Sequence, residues 1–149
     1  MHADLLVMAT LGGLRSAAET ERFLHAQIAH WDRHGFGLFV FRERTSGAFV
    51  GRGGLRHVEL AGRDEVELAY AVMAACWGQG LATEMAQAIL RLGFYTIGLT
   101  DIVAFTLTTN AASHRMMEKL GFFFERDFVH AGLPHVLYRI GGSRGDSAP

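Results

Sequence analysis

The chain has 149 residues, of which 50% are hydrophobic and 19% are charged, and its formal net charge is -1. This length fits one domain, and the composition is too apolar for a disordered chain and too evenly interrupted by charge for a membrane span. Because the net charge is so small, no overall basic field favours nucleic acid, and a single cysteine, Cys76, excludes an internal disulfide.

The N-terminal third predicts a helix followed by a hairpin. No basic segment leads into an apolar run at the start, so we expect no signal peptide and a cytoplasmic location. Ser16 and Glu19 form the pattern of a capping box, and the helix that they start is predicted to end at Gly35. Residues 36–44 and 48–58 are rich in aromatic and β-branched side chains, which predicts two hairpin strands.

The middle of the chain predicts a strand, a glycine-rich loop and a helix. A polar loop is expected over residues 60–64, and residues 65–72 then alternate as a strand does. The glycine-rich loop occupies residues 77–82. Apolar residues recur at helical spacing directly after it, which predicts a helix.

The C-terminal part predicts one strand, one helix and two further strands. The helix is capped by Asn110 and ends at Gly121. The strands cover residues 102–107, 122–129 and 135–140.

The predicted elements give one α+β domain over residues 1–140, with helices lying on a single sheet. No linker or internal repeat divides this stretch. Residues 141–149 are polar and rich in glycine, so we expect them to form a disordered tail.

The glycine-rich loop is a candidate anion site. Between a strand and a helix, its backbone amides lie beside the positive end of the helix dipole, and Gly78 and Gly80 let an anion approach the main chain. A tight turn explains two such glycines more often than a ligand does, so the loop alone is a weak signal. ATP and NAD are disfavoured, since neither a Gly-Lys-Ser/Thr motif nor the complete dinucleotide fingerprint is present.

Two segments together give a more specific indication. Residues 77–84 read Trp-Gly-Gln-Gly-Leu-Ala-Thr-Glu, and residues 110–122 begin with Asn-Ala-Ala-Ser and end with Glu-Lys-Leu-Gly-Phe. In this order they resemble the GNAT acetyltransferases, whose Q/R-x-x-G-x-G/A loop holds the pyrophosphate of coenzyme A and precedes a helix led by Asn. The form looks most like the Rim-type branch, which includes ribosomal-protein N-terminal acetyltransferases.

The resemblance implies the fold and the activity. The GNAT fold has a central, mostly antiparallel mixed sheet flanked by helices. The expected reaction transfers an acetyl group from acetyl-CoA, without a metal, to a primary amine of a protein N-terminus or a small molecule. The family's usual first edge strand and first helix have no counterpart before Asp4, so either the sheet lacks that strand or the native start lies upstream. An exposed edge favours dimers, so we expect a monomer or homodimer, without nucleic acid or membrane as partner.

The resemblance also implies which residues bind the cofactor. Val72 and Met73 would end a bulged strand and offer backbone groups to the acetyl and pantetheine portions. Asn110 would hydrogen-bond the pantetheine arm, although a plain N-cap explains it as well. The residues around the pyrophosphate would be Gly78, Gln79, Gly80, Leu81, Ala82 and Thr83. Trp77 replaces the family's Gln or Arg, so backbone amides would dominate this site.

The proton donor departs from the common family pattern. Many members carry a tyrosine at the position of Met117, where it protonates the departing thiolate, and methionine has no proton to give. Ser113 would be the substitute donor by resemblance to the Rim-type enzymes, unless its hydroxyl bonds only to its own helix. The missing tyrosine keeps a non-catalytic acyl-CoA-binding or sensing module as an alternative function.

A base must remove a proton from the attacking amine. Strand alternation puts Glu65 and Glu67 on one face beside small alanines, which leave room for a substrate. Glu67 is the preferred base and His57 the second choice, while the alternative is that both carboxylates are simply solvated. The first helical region and the loops at residues 60–64 and 131–134 are expected to set acceptor specificity.

Overall fold

The computed structural model describes residues 1–141 as one six-stranded sheet with helices on its faces. The helices are α1 (Leu5–Met8), α2 (Ala17–His34), α3 (Leu81–Arg91) and α4 (Ala111–Lys119). The strands are β1 (Leu38–Arg42), β2 (Phe49–Leu60), β3 (Arg63–Val72), β4 (Asp101–Leu107), β5 (Phe123–His130) and β6 (Leu133–Gly141). A 3₁₀ turn at Ala74–Cys76 precedes α3, and a π-helical segment, Leu92–Ile97, follows it.

Helix α2 begins and ends where its sequence signals predict. Oγ of Ser16 accepts a hydrogen bond from the Glu19 amide at 3.2 Å, and Oε2 of Glu19 accepts one from the Ser16 amide at 2.7 Å. Two amides that the first turn leaves unpaired are satisfied in this way. At the other end Gly35 adopts φ 73°, and its amide donates to the carbonyl of Trp31. The capping box and the closing glycine are both confirmed.

The strands lie in the order β1-β2-β3-β4-β6-β5, and all neighbouring pairs are antiparallel except β3 and β4. The predicted α+β class with a mixed, mostly antiparallel sheet is therefore confirmed. The parallel strands β3 and β4 are paired at Glu67 and Val103, and no further pairing joins them within residues 1–141. Beyond Glu67 the two strands diverge and open a gap in the middle of the sheet.

No bulge ends β3, contrary to the expectation for Val72 and Met73. The register between β2 and β3 runs without a shift to the pair Gly51 and Val72, and the amide of Met73 donates to the carbonyl of Val50 at 2.8 Å. Hydrogen-bonded and non-hydrogen-bonded pairs alternate along an antiparallel ladder, so the amide of Val72 points away from β2. Divergence of β3 from β4, rather than a bulge, leaves backbone groups facing the gap.

The β2–β3 and β5–β6 hairpins both have tighter turns than the sequence predicts. Leu60 is the last residue of β2 and Asp64 already lies in β3, so the expected polar loop is reduced to Ala61 and Gly62. The two alanines that begin these turns, Ala61 and Ala131, both have φ 50°. Each alanine is followed by a glycine with φ 76°, and two successive left-handed residues match the twist of the flanking strands and close a hairpin. The segment 60–64 therefore contains a two-residue turn rather than the longer polar loop that the sequence predicts, and its role in acceptor specificity stays a prediction.

The core has a layer on each face of the sheet. One layer joins the sheet to α3 and α4 and includes Leu55, Leu68, Ala86, Ile89, Ile102, Met117 and Phe122. Helix α3 contributes Met85, Ile89 and Leu90 from one face, as its helical spacing predicts. On the other face Leu60, Val103 and Leu137 form a smaller cluster. Each fully buried aliphatic side chain of this kind stabilises the fold by roughly 1.5–3 kcal/mol.

The chain end differs slightly from the prediction. Gly141 pairs with Asp101 and belongs to β6 rather than to a tail. The other residues of the predicted tail, 142–149, lie outside the described residues. Within residues 1–141, no helix combines the length and apolar character that crossing a membrane requires.

Candidate functional site

A cavity of about 690 Å³ opens where β3 and β4 diverge. Its volume lies in the range of small-molecule and cofactor sites. Strands β2, β3 and β4, the start of α3, the start of α4, the α1–α2 segment and the β5–β6 turn all contribute to its wall. The polar and aromatic lining residues include Arg15, Phe23, Arg52, Arg56, Glu67, Tyr70, Trp77, Thr83, Thr106, Asn110, Ser113, His130 and His135.

The glycine-rich loop forms one end of this cavity. Gly80 is the N-cap of α3 with φ 73°, and no side chain caps the helix within the described residues. Gly78 has φ 74°, and a Cβ on either glycine would meet open space. The first amides of α3 are thus free to bind an anion beside the positive end of the helix. A diphosphate suits this arrangement better than a neutral group does.

The structure places most of the predicted cofactor residues on the wall of the cavity. Those that line it are Val72, Gly78, Gly80, Leu81, Ala82, Thr83 and Asn110. Met73 and Gln79 do not line it: the Met73 amide is bonded within the sheet, and Nε2 of Gln79 donates to the carbonyl of Ala75 at 3.4 Å. Trp77 joins the wall and donates from Nε1 to the carbonyl of Val72 at 3.0 Å, so the indole ties the loop to the end of β3.

Asn110 acts as the N-cap of α4. Its Oδ1 accepts a hydrogen bond from the Ser113 amide at 3.3 Å, and its Nδ2 donates to Oγ1 of Thr106 at 3.0 Å. The predicted cap is confirmed, and it occupies both ends of the side-chain amide. The role of Asn110 toward a pantetheine arm stays a prediction.

Ser113 has a partner that sequence reasoning missed. The hydroxyl of Tyr70, in β3, donates to Oγ of Ser113 at 2.9 Å, which leaves the hydrogen of the Ser113 hydroxyl available. Burial raises the pKa of Tyr70, and the bond to Ser113 opposes this rise. The phenol therefore stays protonated near neutral pH. Met117 is 1% exposed within the core, and a methionine supplies no proton.

The two strand carboxylates have different surroundings. Glu67 is 3% exposed, lines the cavity and pairs through Oε1 with Nε of Arg56. Its Oε2 has no hydrogen-bond partner among the described residues. Glu65 accepts two hydrogen bonds from Arg139, at 2.9 and 3.0 Å, and does not line the cavity. Neither carboxylate is solvated, and Glu67 is the one of the two that faces the site.

His57, the second choice as base, lies outside the cavity. Its Nδ1 is 3.0 Å from Oδ1 of Asp64, and its ring stacks on His34 with 4.1 Å between the centroids. His30 supports the same cluster: its Nδ1 donates to the carbonyl of Phe36 at 2.8 Å, and its Nε2 accepts from the His57 amide at 2.9 Å. These histidines fix the end of α2 against β2.

Comparison with known proteins agrees with this geometry. A sequence model described as the acetyltransferase (GNAT) domain matches residues 1–123. The YkkB protein of Bacillus subtilis (strain 168) is 25% identical over 132 residues, which cover 89% of this chain and 77% of YkkB.

Two solved structures share the fold. The acetyltransferase of Agrobacterium tumefaciens str. C58 is 22% identical with a TM-score of 0.81, and the match covers 95% of this chain and 81% of that one. The yncA protein of Salmonella typhimurium, solved with its cofactor acetyl-CoA, is 22% identical with a TM-score of 0.72. That match covers 93% of this chain and 85% of yncA.

Proposed function

Since the chain belongs to the acetyltransferase (GNAT) family, we propose that it transfers an acetyl group from acetyl-CoA to a primary amine. The acceptor is a peptide N-terminus or a small molecule, and the amine attacks the thioester directly. One observation carries the proposal: a single cavity joins the uncapped start of α3, the gap between β3 and β4, and the carboxylate of Glu67. It has a place for a diphosphate, a thioester and an amine.

The cofactor would extend from the start of α3 into the sheet. The pyrophosphate would meet the free amides after Gly80, and Thr83 would add a hydroxyl. The pantetheine arm would run along the gap, where the amide of Val72 points away from β2. The same amide would stabilise the oxyanion of the tetrahedral intermediate. Met73 has no part in this proposal, because its amide is bonded to Val50.

Glu67 is the proposed base. Glu67 lines the cavity, the ion pair with Arg56 fixes the orientation of one carboxylate oxygen, and the other oxygen has no hydrogen-bond partner among the described residues. The amine nitrogen attacks the carbonyl carbon of the thioester, and a proton leaves the nitrogen to Glu67 directly or through water. Much of the rate would come from holding the amine and the thioester side by side.

Ser113 is the proposed proton donor to the sulfur. When the carbon–sulfur bond breaks, the thiolate takes the hydrogen of the Ser113 hydroxyl, and Oγ takes a proton back from water in the cavity. Tyr70 already donates to Oγ of Ser113, so it orients this hydroxyl and stabilises the negative charge that develops on Oγ. The pair replaces the tyrosine that many family members carry at the position of Met117.

Within the family we assign the chain to the Rim-type branch. The support is the form of its two motifs, Trp77-Gly78-Gln79-Gly80-Leu81-Ala82-Thr83-Glu84 and the segment 110–122. The alternative is a non-catalytic acyl-CoA-binding or sensing module, which the methionine at position 117 favours.

Two measurements test the proposal. Calorimetric titration with acetyl-CoA measures binding, and release of free coenzyme A thiol is then followed against panels of small amines and short peptides. Binding together with thiol release on at least one acceptor is the expected result. Binding without release on any acceptor would establish the sensing module instead. If acetyl-CoA does not bind, both functions fail.

A further inference from the structure

The end of the cavity beside Glu67 carries an excess of positive charge. Arg15, Arg52 and Arg56 line it, whereas Glu67 is the one carboxylate among the described lining residues. Glu67 already pairs with Arg56. Neither Arg15 nor Arg52 forms an ion pair within residues 1–141, so both guanidinium groups lack a directly paired carboxylate there. Glu67 acts on Arg52, and Glu19 on Arg15, only from longer range. Such an arrangement attracts an anionic ligand.

Arg52 shows the imbalance most clearly. Its Nε atom is buried and has no hydrogen-bond partner in the described part of the chain. Burial, together with the charges of Arg56 and Arg15, lowers the pKa of Arg52 to about 10. Buried polar groups are nearly always hydrogen-bonded, and an unpaired one in a cavity calls for an explanation. An anion bound at this point would satisfy the Nε atom and offset the repulsion between the arginines.

An aromatic ring holds the two unpaired arginines together. The guanidinium carbon of Arg52 lies 4.6 Å from the centre of the Phe23 ring, and that of Arg15 lies 4.9 Å from it. Cation–π contact and stacking fix the orientation of both guanidiniums. A planar guanidinium held in this way binds a carboxylate through two parallel hydrogen bonds. The site is therefore organised before a ligand arrives.

The position of the arginine cluster suits an anionic group of the acceptor better than the phosphates of the cofactor. Arg52 lies directly opposite Ala71 in the register of β2 and β3, and Arg56 lies opposite Glu67. Directly opposed residues share a face of the sheet, so Arg52 and Arg56 lie on the face that carries Glu67. The start of α3 already provides the anion site for a pyrophosphate. The small side chains of Ala69 and Ala71 leave space between the arginines and the gap.

Resting on the proposed function, we infer that the acceptor is a small amine that also carries an anionic group, in the simplest case the carboxylate of an amino acid. Arg15 and Arg52 bind the anionic group, and the amine meets Glu67. The positive cluster would also raise the local concentration of such an acceptor and exclude neutral or cationic amines such as polyamines.

The first test compares matched acceptors. Each L-amino acid is assayed against its own C-terminal amide, which keeps the side chain and the amine but removes the negative charge. We expect kcat/KM to be higher for the acid by about tenfold or more, since hydrogen bonds to charged groups are among the strong ones. The amine of the amide is less basic and more often neutral, which by itself favours the amide as an acceptor. A preference for the acid would therefore be underestimated rather than exaggerated by this comparison. Equal rates for acid and amide, or activity on neutral amines alone, would overturn the inference.

The second test removes the proposed anion contact. Arg52→Met keeps most of the aliphatic stem, and we expect KM for the acid to rise about tenfold or more while KM for the amide stays unchanged. Arg44→Met is the matched control, because Arg44 is exposed and lies outside the cavity. Weaker acetyl-CoA binding in Arg52→Met with no change toward the acid would assign the arginine to the cofactor and overturn the inference.

A third measurement separates this inference from the proposed function. N-acetyl amino acids carry the anion and need no turnover, so their binding is measured by calorimetry against that of the corresponding N-acetyl amides. Selective binding of the acids, lost in Arg52→Met, supports the anion site even if no acceptor is acetylated. Binding of acetyl-CoA without any preference for the acids leaves the proposed function standing and removes the inference.

Discussion

The hydroxyl of Tyr70 donates a hydrogen bond to Oγ of Ser113 across 2.9 Å and so joins β3 to the first turn of α4. The bond crosses the cavity wall in the region where β3 and β4 have separated. No sheet hydrogen bonds hold the two sides together there within the described residues, so this side-chain bond fixes the start of α4 against β3. It also occupies one acceptor position of the Ser113 oxygen and so restricts the directions that its hydroxyl hydrogen can take, and Ser113 lines the cavity.

The first prediction concerns this pair. Ser113→Ala removes the proposed proton donor, and we expect kcat to fall by roughly a hundredfold, the usual contribution of one acid–base group. Tyr70→Phe removes only the orienting bond, and we expect a loss of up to about tenfold. Steady-state thiol release measures both.

The double variant provides the control. Because Tyr70 acts through Ser113, adding Tyr70→Phe to Ser113→Ala should slow the enzyme little further. Acetyl-CoA affinity should change little in any of the three. Independent effects that multiply in the double variant, or an unchanged rate in Ser113→Ala, would remove the pair from the mechanism.

A second prediction separates the two strand carboxylates. Glu67→Gln weakens the ion pair with Arg56, and Glu65→Gln weakens the pairs with Arg139 and Arg63. Each change should lower the free energy of unfolding by about 1–2 kcal/mol. Only Glu67 lines the cavity. We therefore expect Glu67→Gln to lower kcat/KM by roughly a hundredfold or more, the usual contribution of one acid–base group, while Glu65→Gln keeps a rate close to that of the wild type. If Glu67→Gln left the rate unchanged, another group or water would be the base.

A third prediction tests the anion site at the start of α3. Gly80→Glu places a carboxylate where the pyrophosphate is expected and forces a non-glycine residue to φ 73°. We expect acetyl-CoA binding to disappear from a calorimetric titration. Gly47→Glu is the control for backbone strain alone, since Gly47 has φ 72° in the β1–β2 turn and also faces open space. Retained binding in Gly80→Glu would exclude this helix start as the phosphate site.

Local signals predicted the elements well. The Ser16 and Glu19 capping box, the closing Gly35 and the Asn110 cap each depend on residues that lie within a few positions of one another. The hairpin turns were predicted too long because Ala61 and Ala131 adopt φ 50°, a conformation that sequence reasoning assigns to glycine. Alternation along β3 correctly separated the residues on the two faces of the strand.

The site residues that sequence reasoning missed depend on long-range contacts. Tyr70 and Ser113 are 43 positions apart, and nothing local connects a strand tyrosine with a helical serine. Arg52 follows the same pattern: a charged residue in a strand predicts a solvated face, whereas here Phe23 from α2 covers it. The partner of Glu67 is Arg56, which the register of β2 and β3 places opposite. Register and helix docking, not composition, decide these contacts.

The last prediction concerns the stability of the fold below neutral pH. Burial lowers the pKa of His30 below its ordinary value of 6.5, although the hydrogen bond to the carbonyl of Phe36 opposes this. Its Nε2 accepts from the His57 amide, which requires that nitrogen to be unprotonated. The unfolded chain therefore binds more protons than the folded one once the pH falls below about 6.5, and stability declines with falling pH.

Urea unfolding at about pH 7.5 and at about pH 5.5 measures this decline. His30→Gln cannot take up a proton, so the loss of stability between the two values should be smaller than in the wild type. Part of the loss should persist, since the pKa values of His2, His34 and His130 are lowered as well. His25→Gln, at an exposed position on the same helix, serves as the control for a histidine substitution in α2. An equal decline in wild type and His30→Gln would show that His30 is not kept neutral by the fold.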